Sequence, residues 1–167
     1  MRQLAGTFLA VFLLWGVLPA QAQDFRLKKA THEQIKQAIS ENEASVKVVN
    51  FWATWCGPCR KEFPQLVRFG EDFADQGVDV VFVSMDLPER EPAVLRYLQE
   101  QNAQGVSYLK SGGSRAFVNA FSKKWKGGLP ATFVYGPDGK QRAFWRGAVT
   151  YKKVRDRVTD ILAKGAK

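Results

Sequence analysis

Between Val46 and Ala53 the chain reads VKVVNFWA, a β-branched and aromatic run suited to a buried strand. From Pro58 onward the apolar residues Phe63, Leu66, Val67, Phe69 and Phe73 recur at helical spacing. A buried strand that runs almost directly into an amphipathic helix needs a sheet around the one and a packing face for the other, which holds the chain to a layered α/β architecture. The short junction between them carries Cys56, and Cys59, the other cysteine of the chain, follows just inside the helix.

The rest of the pattern extends that frame. Gln34 to Asn42, with Ile35 and Ile39 one turn apart, reads as a short amphipathic helix. The cysteine helix is expected from Pro58 to about Asp75, with Gly77 as its stop and Pro64 bending it by removing one backbone donor. Val78 to Met85 reads as a second buried strand, Pro92 to Gln104 as a helix, Val106 to Leu109 as a short strand and Ser114 to Phe121 as a short helix. Ala131 to Tyr135, the turn GPDG and Lys140 to Arg146 form a hairpin, and a last helix begins near Tyr151 with Val154, Val158 and Ile161 on one face. This order predicts a mixed sheet with helices on both faces, in one domain without repeats or low-complexity tracts.

The N-terminus has a different purpose. Met1-Arg2 is a short positive start, Leu4 to Leu18 is mostly apolar, and Ala20-Gln21-Ala22 is a small-residue cleavage pattern. Residues 1–22 are therefore expected to be a secretory signal peptide, or an anchor if uncleaved, and 23–167 an extracytoplasmic or periplasmic domain. Oxidising compartments favour disulfides, yet Cys56 and Cys59 have only each other, and so small a loop gains little from chain entropy. Reversible chemistry explains them better than a structural staple. The charge of +9, from 25 Lys and Arg against 16 Asp and Glu, is spread through the chain without a nucleic-acid module; it suits solubility and loose steering.

Placed at the helix N-terminus, Cys56 meets unpaired amides and the macrodipole, which stabilise a thiolate and lower a cysteine pKa from about 8.5 to roughly 3.5 to 7.5. Cys59 lies about one turn on, so the two sulfurs share a face. Cys56 is thus the expected attacking sulfur and Cys59 the resolving one, with Gly57-Pro58 setting the turn. A C-x-x-C pair also supplies half of many zinc sites, but there is no second pair and His32 is the single histidine, so no metal and no cofactor are expected. Two thiolates could still hold cuprous copper, the reading that makes the protein a copper chaperone.

FWATWCGPCR, Phe51 to Arg60, resembles the thioredoxin active site, and GGLPATFVYGPDGK, Gly127 to Lys140, follows in the matching order. The signal peptide, the wording NFWATWCGPCRKEFPQL with Pro64, and an extra helix and strand between about Met85 and Ser114 make the chain most similar to exported TlpA/ResA-type thiol:disulfide oxidoreductases, which include the cytochrome c maturation reductases. That resemblance implies the thioredoxin fold, with Pro130 as a cis-proline packed against the cysteine pair. It implies docking of substrate at Trp55, Gly57, Pro58 and Leu129, with Trp125 bordering the same groove, while Trp52 belongs to the core. Where thioredoxin has a buried aspartate, this chain has Asn50, so the proton of Cys59 needs another acceptor. The resemblance offers Asp86, followed by Glu89 and Glu91; the other reading of Asp86 is a solvated cap of the next helix. The expected activity is reduction of protein disulfides by a monomer fed by a membrane electron donor; oxidase, isomerase and, more remotely, thiol peroxidase activity are the enzymatic alternatives.

Overall fold

The computed structural model describes residues 25–165, so the expected signal peptide lies outside the described residues. Six strands, β1 (Arg26–Ala30), β2 (Val46–Trp52), β3 (Val78–Ser84), β4 (Val106–Lys110), β5 (Ala131–Tyr135) and β6 (Gln141–Arg146), form one sheet in the order β1-β4-β3-β2-β5-β6. The first four in that order run parallel, whereas β5 is antiparallel to β2 and β6 to β5. Helices α2 (Gly57–Phe73), α3 (Glu91–Glu100) and α5 (Tyr151–Gly165) cover one face, and α1 (His32–Glu41) and α4 (Ser114–Phe121) cover the other.

The two-residue alternation of β2 explains its central place. Val46, Val48 and Trp52 face the α2 side, where Trp52 meets Phe63 and Tyr97, while Val49 and Phe51 face α4 and Phe121. Every β2 residue is buried, as expected of a strand covered on both faces. The expected insertion is α3 with β4, and β4 pairs in parallel with both β3 and β1.

Strand β1 was not expected from the sequence, and α1 begins earlier than expected, at His32. RLKKA lacks an apolar alternation because β1 is an edge strand with one partner, and edge strands carry charge. Thr31 supplies the missed helix start: its hydroxyl accepts from Gln34 N, and Gln34 reaches back to Thr31 N at 2.9 Å, a capping box. Helix α2 is continuous through Pro64. The carbonyl that Pro64 leaves without its usual helical donor, that of Arg60, accepts from the Tyr97 hydroxyl at 3.3 Å, tying α3 to the cysteine helix. Gly77, at φ 71°, closes the short 3₁₀ turn that follows α2 in a left-handed conformation that suits glycine.

Candidate redox site

The sheet delivers the cysteines to one end of the molecule. After Trp52 the chain leaves β2, and Cys56 becomes the N-cap of α2, its sulfur accepting from Cys59 N at 3.3 Å. Cys56 and Cys59 are joined as a disulfide with Cα atoms 5.2 Å apart, so this is the oxidised protein. Cys56 retains 5% exposure and Cys59 none, which puts the accessible sulfur at the helix terminus. Pro58 occupies the first turn, where its missing N–H costs no helical hydrogen bond, and Gly57 and Pro58 are exposed beside the disulfide.

Antiparallel pairing brings the second motif to the same end. Ala131 is opposite Phe51, so Pro130 enters β5 level with the end of β2, and the Leu129–Pro130 bond is cis. Pro130 is buried and Leu129 partly so, packed against both hydrophobic clusters. Trp55, directly before Cys56, is 67% exposed.

A residue not singled out from the sequence joins Cys59 among the buried residues of α2. Glu62, one turn further along α2, is 1% exposed. One carboxylate oxygen accepts from Asn50 Nδ2 at 2.8 Å and the other from Val149 N at 2.6 Å, while Asn50 Nδ2 also donates to Thr132 Oγ1 at 3.0 Å. Burial pushes the Glu62 carboxyl above its usual range, against the lowering effect of its Val149 and Asn50 hydrogen bonds. The signal for it was available: Glu62 sits on the buried stripe of α2 between Cys59 and Leu66, where a charged residue needs a reason.

Of the two readings of Asp86, its full burial excludes the solvated cap but not the acceptor role, and α3 has Arg90 at its N-cap. Its carboxylate accepts from Thr54 N at 2.8 Å, Thr54 Oγ1 at 2.7 Å and Ser84 Oγ at 2.8 Å. Those bonds brace the loop that carries Trp55 and Cys56, whereas the buried carboxylate on the helix of Cys59 is Glu62. Trp125 is also corrected. It is wholly buried against Phe51 and Phe133, its indole N–H donating to Gly128 O at 2.8 Å, so it supports the loop before Pro130 from within and offers no exposed surface at the expected groove.

A sheet of this topology, with a disulfide-bonded cysteine pair at the start of the helix after its central strand, defines a thioredoxin-fold thiol:disulfide oxidoreductase. Residues 19–144 match the AhpC/TSA family, and the chain belongs to it. The thiol-disulfide oxidoreductase ResA of Oceanobacillus iheyensis is 29% identical over 143 residues, spanning 84% of this chain and 70% of that protein. The thiol:disulfide interchange protein HelX of Rhodobacter capsulatus is 28% identical over 123 residues, 72% of this chain and 63% of that one. Among solved structures, a thioredoxin-family thiol:disulfide interchange protein from Chlorobium tepidum shares the fold with a TM-score of 0.61 at 24% identity, covering 76% of this chain and 84% of the other.

Proposed function

We propose that this protein is an exported reductase of protein disulfides, and the observation that carries the reading is the Cys56–Cys59 pair at the N-terminus of α2 with the buried Glu62 carboxyl one turn beyond Cys59. In the reduced protein the Cys56 thiolate attacks one sulfur of a substrate disulfide and expels the other as a thiolate, leaving a mixed disulfide. Cys59 then passes its proton to the Glu62 carboxylate, attacks Cys56 Sγ and expels the second substrate sulfur; the two departing thiolates take protons from water. The oxidised form described above is the end of that cycle, and an external donor must return two electrons to it.

The direction rests on the Gly57-Pro58 dipeptide, which matches that of thioredoxin, the strongly reducing member of the standard series. Export rests on the N-terminal pattern of residues 1–22, and the electron source is proposed to lie in the membrane. No helix among the described residues is long and apolar enough to cross a membrane. The deciding experiment is the Cys56/Cys59 reduction potential, measured by equilibrating the folded protein in thiol buffers of graded poise. A value near thioredoxin's, about −270 mV, supports the reductase, whereas one near −120 mV would make it a disulfide donor.

A further inference from the structure

Strands β2 and β3 pair in parallel with a constant offset that sets Trp52 level with Ser84. The same offset continues past both strands: Thr54 is hydrogen-bonded to Asp86, which makes Trp55 and Leu87 the next residues out on their two loops. Both are exposed, 67% for Trp55 and 62% for Leu87, and Leu95 is the one other exposed large apolar residue among those described. Two apolar side chains presented to water at one edge, immediately beside the accessible cysteine, mark an interaction surface.

The surface is also held in place. Asp86 spends its buried carboxylate on Thr54 and Ser84, fixing both loops where they emerge. Pro88 restricts Leu87 to extended backbone, seen at φ −73° and ψ 153°, and the Leu87 carbonyl accepts from Arg90 N at 2.9 Å. A pre-organised apolar contact loses little conformational freedom when a partner arrives. Arg90 adds the charge: one guanidinium nitrogen lies 3.3 Å from Thr54 Oγ1, and Arg90 has no ion-pair partner among the described residues.

Building on the reductase reading, we propose that Trp55, Leu87 and Arg90 form a docking edge that selects an extended polypeptide whose disulfide-bonded cysteine has a large apolar residue and an acidic residue beside it. The apolar side chain packs between Trp55 and Leu87 while the acid meets Arg90. The charge contact acts chiefly on encounter and weakens with salt; the apolar contact sets affinity.

The test uses the full chain and synthetic peptides, each joined by its cysteine to a chromogenic thiol, in a set where that cysteine is flanked by Leu-Asp, Ser-Asp or Leu-Lys. The expected kcat/KM order puts Leu-Asp about tenfold above Ser-Asp and about threefold above Leu-Lys at low salt. In Leu87→Ser the leucine preference collapses towards one through KM, and in Arg90→Glu the Asp-over-Lys preference reverses. Equal rates for all peptides with the wild type, or a leucine preference that survives Leu87→Ser, would overturn the docking edge and leave the redox reading intact. Failure of the wild type to reduce any peptide would instead overturn the reductase reading itself.

Discussion

Glu62 and Asp86 are both buried carboxylates near the cysteine loop, Glu62 three residues beyond Cys59 and Asp86 through its bonds to Thr54, yet their surroundings divide them. Asp86, two residues past β3, accepts from Thr54 N and Thr54 Oγ1 of the cysteine loop and from Ser84 Oγ at the end of β3. Glu62, inside α2, has one donor for each oxygen, Asn50 and Val149, and shares its helix with Cys59. Burial alone therefore does not identify a proton acceptor. What each carboxylate holds, and that Glu62 shares its helix with Cys59, supports the acceptor role proposed for Glu62.

The sharpest test of this contrast is Glu62→Gln. Loss of a positioned base is worth roughly 10²- to 10⁴-fold, so the mixed disulfide with Cys56 should accumulate and its resolution at neutral pH should slow by at least about 10²-fold in stopped-flow measurements. Unchanged resolution would return the proton to another group. Asp86→Ala should do the reverse, destabilising the oxidised protein by about 3 kcal/mol in urea titrations because it strands buried donors, while the pH dependence of resolution keeps its shape. A shifted pH profile in that variant would make Asp86 part of the proton path after all.

Solution pH separates the pair further. Because the Glu62 carboxyl is raised above its ordinary 4.5, the native state holds a proton that the unfolded chain has already lost in the window above that value. The corresponding stability is complete below the ordinary glutamate range and is lost as pH rises through the raised value. Urea midpoints of the oxidised protein should decline across that window, and Glu62→Gln should abolish that part of the decline. The smallest effect is expected of Asn50→Ala, which removes one donor from Glu62 and about 1 kcal/mol of stability. It should push the Glu62 carboxyl higher still, seen as a midpoint decline that extends to higher pH.

The same contrast bears on what a sequence can disclose. Cys56, Cys59 and Pro130 were legible because spacing and local wording determine them, and β2, α2 and β5 because their apolar periods are unbroken. Strand β1 was hidden by its charges, which suit an edge but mimic a loop. The groove reading of Trp125 and the cap reading of Asp86 failed for a shared reason: a tryptophan among lysines and glycines looks exposed and an aspartate after a strand looks like a cap, while their burial depends on Phe51, Phe133, Thr54 and Ser84, residues distant in sequence that only the sheet brings together. Glu62 was passed over although its position on the apolar stripe of α2 marked it.

The open rims of the sheet bear on how copies of the molecule meet. β1 lines one rim with Arg26, Lys28 and Lys29 in five residues, and β6 lines the other with Arg142 and Arg146. Lys29 and Arg142 are paired with Glu91 and Asp138, so strand-to-strand growth between two copies would set chiefly Lys28 and Arg146 against like charge, which weakens such pairing. On the proposed reading as a reductase of protein disulfides, rims that disfavour strand pairing leave the end of the sheet that carries the disulfide as the face for a substrate chain.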